Sequence, residues 1–389
     1  MSKIPGISKI RINPKLELKS KNNLKTLKLF IGNKCNFDCT YCYVKKDSLS
    51  ALNLKESIKG VGHFLDSDGE EKNIQFLGGE PLLEYAKIKN IIKYVEKEYK
   101  NKKIQFILNT NGLLLDQEKI DFFTKHNALI IISIDGSKKS HDKHRKIKNS
   151  DASSYAIIMH NLKKIDLSNT KLMVNYVYTP ETIDDVLNNL KNMAKIGFKM
   201  IDFRPDINQT FKGEYYKELK QFFNKFVVYY IELFRKNRKD VFFVPTIRNL
   251  LDNRFAFGSL WCDSIVLSPD GKYYSCCRLL GLNENQKRGY SLGIIKKGID
   301  IQGRIDFLGQ IRKKIDEYFN KRCKQCEFLP YCYCKIDTYL YYNAKEENIS
   351  EGLESLCRYT KVFKGAMLKI IDTMLKENNQ EFKKLYNIK

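Results

Sequence analysis

Between residues 26 and 205, short apolar runs take turns with longer stretches whose apolar positions recur every three or four residues. The runs at 27–31, 73–77, 104–109, 128–134, 172–178 and 200–204 are rich in Ile and Leu and predict strands. The stretches at 54–65, 85–99, 117–125, 154–165 and 183–196 predict helices. Six strands joined by helices imply a parallel sheet with crossover connections, its short apolar strands buried on both faces. A flat doubly wound sheet and a curved partial barrel both fit this pattern. Ahead of it, Ile10, Ile12, Leu16 and Leu18 alternate around Asn13-Pro14 and predict a small hairpin over 8–21. Behind it, Phe222, Phe223, Phe226, Tyr229, Tyr230 and Phe234 form a stripe of helical period over 211–236. Such a stripe reads as core packing rather than a base-stacking surface. Residues 237–260 read as a linker with a short helix.

Composition narrows the class. The chain has 389 residues, 43% of them hydrophobic, enough for a sizeable core and against disorder. No apolar run approaches the roughly 20 residues of a membrane span. Residues 1–25 are polar and basic, with no apolar core of a secretory signal, so the expected location is the cytoplasm. The formal charge of +24 invites an anionic partner: nucleic acid, an acidic peptide or an acidic electron donor. The basic tracts at 138–148 and Arg312-Lys313-Lys314 are short, and the lysines are spread along the whole chain, which argues against nucleic acid.

The cysteines change the picture most. Three of the eleven fall at 35–42, none between 43 and 261, and eight between 262 and 357. In a cytoplasmic chain such clustering points to metal rather than disulfides. Thiolates suit iron–sulfur clusters, zinc or Cu(I). A closed zinc site would want four ligands. Cys35-Asn36-Phe37-Asp38-Cys39-Thr40-Tyr41-Cys42 offers three, which on a four-iron cluster leaves one iron free to bind something else.

Cys35-x3-Cys39-x2-Cys42, with Tyr41 before the last thiol, resembles the signature of the radical S-adenosylmethionine (SAM) enzymes. In that family the free iron chelates the amino and carboxylate groups of the SAM methionine, and reductive cleavage yields a 5'-deoxyadenosyl radical that abstracts a hydrogen atom. The resemblance implies that Cys35, Cys39 and Cys42 hold this cluster, that Tyr41 lies near the adenine, and that the fold is α/β, a partial (β/α)6 TIM-like barrel. Chemistry in such folds gathers at the C-terminal ends of the strands, and further motifs fall there in order. Gly78-Gly79-Glu80-Pro81 resembles the family's GGEP motif, whose backbone and Glu80 would receive the SAM amino group. Ser133-Ile134-Asp135-Gly136 and His141-Asp142-Lys143-His144-Arg145 resemble one subgroup's SxDG and HDxxR pair. There Ser133 and Arg145 would hold the carboxylate and ribose side of SAM, a guanidinium fork suiting a carboxylate. Asn175 would point inward, to the ribose or as a satisfied core amide. His141 and His144 read as hydrogen-bonding loop residues rather than a metal pair.

The second cysteine set resembles the SPASM extension of these enzymes, a Cys-rich domain with two auxiliary [4Fe–4S] clusters. It starts at Trp261-Cys262, continues through Gly271-x4-Cys276, with Ser291-Leu292-Gly293-Ile294 after the hairpin, and ends at Cys357. By that pattern Cys323, Cys326, Cys332 and Cys357 hold one cluster. Cys262, Cys276 and Cys334 hold the other, with Cys277 as a possible fourth ligand. Two departures stand out. A single residue, Tyr333, separates Cys332 from Cys334 where three are usual. Cys277 occupies the position at which anaerobic sulfatase maturases carry an aspartate general base, and a thiol replaces it poorly unless its pKa is depressed.

The expected domains are an N-terminal extension (1–25), the radical SAM barrel (26–210), a helical linker (211–254), the SPASM domain (255–360) and a C-terminal helix (361–389). The cysteine loop comes too early for the separate leader-binding domain that many peptide-modifying relatives carry. The expected activity is oxidative modification of a peptide or protein side chain, by thioether or carbon–carbon crosslinking or by oxidation. It would use three [4Fe–4S] clusters, SAM and a flavodoxin- or ferredoxin-type donor; an acidic peptide would suit the charge. Formylglycine formation on a sulfatase is the alternative. A Cys-rich zinc protein that binds nucleic acid would explain charge and thiols, but not Gly78 to Pro81 or Ser133 to Gly136.

Overall fold

The computed structural model describes residues 23–44, 51–206, 208–252, 263–319, 326–328 and 335–388. The hairpin expected at 8–21, Trp261 and four of the expected ligands (Cys262, Cys323, Cys332 and Cys334) lie outside the described residues.

The six predicted strands form. They are β1 (Thr26–Gly32), β3 (Glu71–Gly78), β4 (Lys103–Thr110), β5 (Leu129–Ser133), β7 (Lys171–Tyr178) and β8 (Ile201–Pro205), while β2 (Phe37–Cys39) and β6 (Arg145–Ile147) make a separate antiparallel ribbon. All six run parallel, and the order β1-β3-β4-β5-β7-β8 never reverses. A doubly wound sheet needs a reversal; a run without one keeps every crossover helix on the same side and leaves the other side as a lumen. These crossovers are α1 (Leu54–Leu65), α2 (Tyr85–Glu98), α3 (Gln117–Lys125), the pair α4 (Lys138–His144) and α5 (Ser154–Lys163), and α6 (Val186–Ile196). Helix α1 shows why the sequence folds so. Asn53 and Glu56 close a capping box at 2.9 and 3.0 Å, and Ser57, Gly60, Val61, Phe64 and Leu65 bury one face.

The strands are not buried on both faces as their apolar content suggests. On β3, Lys72, Ile74 and Phe76 are buried while Asn73, Gln75 and Leu77 are half-buried. On β4, Phe106, Leu108 and Thr110 are buried while Gln105, Ile107 and Asn109 are half-buried. The helix side is the core; the lumen side is polar, and Gln75 Nε2 donates to Asn109 Oδ1 across it at 2.7 Å.

The sheet also extends past β1. Strand β9 (Ser264–Leu267) pairs parallel to β1, Thr26 opposite Ser264 and Leu29 opposite Leu267, and β10 (Tyr273–Tyr274) folds back antiparallel on β9. The chain that carries the second cysteine set therefore begins as part of the barrel sheet. It continues through α9 (Glu284–Lys287), α10 (Ile301–Phe319) and α11 (Lys335–Ala344) into α12 (Ile349–Lys376) and α13 (Gln380–Leu385).

The aromatic helix forms as α7 (Gly213–Arg235), followed by the short α8 (Pro245–Leu251). Its stripe is core: Phe223 and Phe363 of α12 lie 5.4 Å apart, centroid to centroid. Tyr230 donates or accepts with Tyr386 at 2.6 Å, and Tyr386 accepts from Val244 N at 3.0 Å. Helix α12 runs without a break through residues 360 and 361, so Cys357 sits inside a long helix that also packs against α7.

Candidate active site

The cysteine loop leaves the end of β1 and is held first by backbone. Gly79 N donates to Gly32 O at 3.0 Å and Glu80 N to Lys34 O at 2.8 Å. A Cβ on Gly79 would lie 2.1 Å from the Lys34 carbonyl oxygen, and one on Gly78, whose φ is +151°, 2.3 Å from that of Gly32. The glycine pair is thus demanded by the approach of β3 to the cysteine loop itself. Within the loop, Phe37 N donates to Cys35 Sγ at 3.4 Å, Cys39 lies in β2, and Cys42 N closes a turn onto Cys39 O at 3.1 Å.

A second brace comes from the far side of the barrel mouth. Strand β6 places Arg145 opposite Cys39. The buried Arg145 forks onto Asp135, Nε to Oδ2 at 2.9 Å and Nη2 to Oδ1 at 3.1 Å. The Tyr41 hydroxyl donates to the same Asp135 Oδ2, the Val177 amide donates to Oδ1 at 3.0 Å, and the guanidinium lies 5.3 Å from the Tyr41 ring centroid. Burial holds the Tyr41 phenol well above its ordinary pKa, so it stays a donor. His144 bridges Thr40 Oγ1 (2.8 Å, at Nδ1) and Thr179 Oγ1 (3.2 Å, at Nε2). His141 accepts from the Asp135 amide at 3.2 Å, and burial pushes its pKa down to about 4. Both histidines are buried on α4, not on a loop, and they hold the frame of the site. Two of the three guanidinium nitrogens expected for SAM are engaged by Asp135.

Glu80 is 2% exposed and accepts three hydrogen bonds: from Leu82 N at 3.0 Å, Thr110 Oγ1 at 2.7 Å and Asn111 N at 2.8 Å. Burial nevertheless pushes its carboxyl up to about 7. Pro81 starts the short 3-10 turn Pro81–Glu84, whose Leu82 amide holds Glu80. Asn111 also reaches the cysteine loop, donating to Asn36 Oδ1 at 2.7 Å. Ser133 and Asn175 stand opposite each other in register, with Asp202 next to Asn175, all half-buried on the lumen side. Asp135 as the hub, and the Asn36–Asn111 and Thr40–His144 links, were not identified from sequence. A polar residue in or beside each motif was the signal available.

Cys276 and Cys277 lie side by side next to this mouth. Lys28 Nζ is 4.0 Å from Cys277 Sγ, and a Cβ on Gly281 would strike the Tyr43 carbonyl oxygen at 2.2 Å. A hydrogen bond from Cys276, with Lys28 and Tyr43, pulls the Cys277 thiol well below its ordinary value against the effect of burial. Cys326 and Cys357 are half-buried, and Phe328 lies against Gly365 of the helix that carries Cys357.

Among the described residues no three Cys, His, Asp or Glu side chains are gathered onto one point as a formed metal site. The donor chemistry fits a cluster all the same. Cys35 and Cys42 are near enough to Cys39 to add to the rise of its thiol, which burial takes to about 11 while Arg145 pulls the other way. Three neighbouring soft donors, with no carboxylate or imidazole among them, suit iron and sulfide, whose binding displaces the thiol protons.

A lumen-forming parallel sheet with such a loop at the end of its first strand defines a class. Residues 29–193 match the model of the Radical SAM superfamily, so the chain carries a radical SAM domain and is an enzyme. It is similar to the radical SAM cyclopropyl synthase TigE of Paramaledivibacter caminithermalis, 24% identical over 356 residues, 83% of this chain and 69% of that protein. It is similar to the cysteine-type anaerobic sulfatase-maturating enzyme of Clostridium novyi, 26% identical over 339 residues, 79% of this chain and 87% of that one. Among solved structures, native anSMEcpe with bound AdoMet and Cp18Cys peptide shares the fold, with a TM-score of 0.64 at 19% identity over 88% of this chain and 98% of that one. No helix among the described residues is long and apolar enough to cross a membrane.

Proposed function

We propose that the protein is a radical SAM maturase that oxidatively modifies a side chain of a peptide or protein, forming a thioether or carbon–carbon crosslink or oxidising the side chain. The observation that carries this reading is the three-thiol loop, clamped between the Gly79–Glu80 strap and the Asp135–Arg145–Tyr41 brace. When bound on Cys35, Cys39 and Cys42, a [4Fe–4S] cluster with SAM supplies one-electron hydrogen-atom abstraction. The chain's own residues set the geometry. Glu80 and the Gly78-Gly79 backbone receive the SAM amino group, and Pro81 fixes Glu80. Ser133 and Asn175 meet the ribose side. Arg145 serves SAM chiefly by fixing Asp135 and Tyr41, and Tyr41 flanks the adenine. The polar lumen face, with Gln75, Asn109 and Asp202, takes the substrate backbone.

Cys323, Cys326, Cys332 and Cys357 hold one auxiliary cluster, and Cys262, Cys276, Cys334 and Cys277 the other. The peptide-bound neighbour supports a peptide substrate, and the charge of +24 suits an acidic peptide and an acidic flavodoxin- or ferredoxin-type donor. We place the enzyme in the cytoplasm.

A second reading, formylglycine formation, is supported by the similarity to the Clostridium novyi enzyme and by Lys28 beside Cys277 at the position where the resemblance puts the base. One experiment separates the two. The reconstituted enzyme is incubated with SAM, reductant and two peptides, one from a small open reading frame beside its gene and one from a sulfatase. Loss of two hydrogens with sulfur retained supports the first reading; a hydrazide-reactive aldehyde on the sulfatase peptide supports the second. No change in either, with SAM cleaved, counts against both.

A further inference from the structure

Arg278 follows Cys276 and Cys277 directly, on the short 3-10 turn Cys277–Gly281. It is 6% exposed, its Nε and Nη2 are buried without a hydrogen-bond partner, and no carboxylate pairs with it among the described residues. The guanidinium carbon lies 4.0 Å from the centroid of the Tyr341 ring on α11, and Lys345 Nζ lies 4.7 Å from the same centroid. The neighbouring Ser275 is 4% exposed, and its Oγ also lacks a partner. Two orphaned polar side chains thus flank the cysteine pair.

A buried cation with no anion is costly, and stacking on one aromatic ring offsets only part of that cost. The backbone of Arg278 lies against the first thiol of the pair, Arg278 N donating to Cys276 Sγ at 3.4 Å. On the barrel side, Lys28 Nζ lies 4.0 Å from Cys277 Sγ, so one cation already faces the pair. A cluster bound by thiolates is a compact anion with sulfur acceptors, and its negative charge grows on reduction.

We propose that Arg278 donates its buried N–H groups to the sulfur atoms of the auxiliary cluster that Cys276 helps to hold, and that it raises that cluster's reduction potential. The proposal rests on the auxiliary-cluster reading above. A cation that hydrogen-bonds to cluster sulfur favours the reduced state. Arg278 is a positioning and tuning residue here, set to make this cluster the better acceptor of the electron left when a substrate radical is oxidised.

The test is an anaerobic redox titration of the reconstituted full-length enzyme with SAM present, followed by electron paramagnetic resonance. Signals that do not respond to SAM are assigned to auxiliary clusters. Arg278→Met should leave iron and sulfide content unchanged and lower the reduced-to-oxidised ratio of one auxiliary signal tenfold or more at fixed potential, about 59 mV for one electron. Arg278→Lys should recover part of that shift. An unchanged potential in Arg278→Met overturns the proposal. If the Met variant does not hold the cluster, the Lys variant decides: a lowered potential supports the assignment and an unchanged one overturns it. A wild-type enzyme with no iron beyond the SAM-responsive cluster refutes the auxiliary-cluster reading itself, before any variant is made, and the proposal with it.

Discussion

Replacing Asp135 by Asn removes one negative charge from the point where the Tyr41 hydroxyl, Arg145 Nε and Nη2 and the Val177 amide converge. Asn matches the shape of Asp. Its amide nitrogen is a donor, however, so at least one of these four donors would face another donor. Arg145, 6% exposed, would keep its charge with no anion beside it. Breaking a buried pair by removing one partner costs about 3–5 kcal/mol, a large share of the roughly 5–15 kcal/mol that holds a domain folded. The assay is urea unfolding of the metal-free protein for Asp135→Asn, Arg145→Met and the double variant. Asp135→Asn should lose about 3–5 kcal/mol. The double variant should lose about 1–3 kcal/mol less than the sum of the singles, because it no longer buries a lone charge. Losses that add, or a single loss below about 1 kcal/mol, would refute the view of Asp135 as the hub. Iron retained by the loop should fall with Asp135→Asn even below its melting range, since Tyr41 lies next to Cys42.

Three further outcomes follow from the same geometry. Gly79→Ala must move the Lys34 carbonyl from 2.1 Å; it should cost about 1–3 kcal/mol and lower SAM-cluster iron and SAM cleavage together, and normal values of both would contradict the strap. Glu80, with its folded pKa raised from the ordinary 4.5 to about 7, is stabilising in its protonated form. Its contribution is full below about pH 4.5 and lost as pH rises through 7, by about 3 kcal/mol in all; urea midpoints of the metal-free protein should show this fall, and Glu80→Gln should abolish it. Cys323→Ala should leave SAM cleavage uncoupled from product, whereas equal loss of cleavage to that in Cys39→Ala would make the C-terminal cysteines mainly structural.

The barrel strands were legible because each is a run of five or more residues, flanked by helical periodicity that points to crossovers. Strand β9 was not. It is four residues long, and what makes it a barrel strand is its non-local pairing with β1, more than two hundred residues earlier in the chain. Asn73, Gln75, Gln105 and Asn109 were readable as polar interruptions, yet only the sheet's unreversed order turns them into one lumen face. The cysteine triplet and the motif order carried the cofactor reading without any structure. The partner of Arg145 did not follow from its motif. A guanidinium near an expected carboxylate ligand is equally suited to the protein's own carboxylate, and Asp135, ten residues away in sequence, takes it. That Tyr41 ends on the same oxygen, 94 residues distant, is a tertiary fact with no local trace.

The measurement that tests the central claim most directly is SAM cleavage by the anaerobically reconstituted full-length protein, with iron counted in the same sample. The account predicts 5'-deoxyadenosine on adding dithionite and SAM, about twelve irons per chain with all three clusters, and no cleavage in Cys39→Ala. A wild-type protein replete in iron that does not cleave SAM, or a Cys39→Ala variant that cleaves it as well as wild type, would contradict the assignment of the Cys35–Cys39–Cys42 loop.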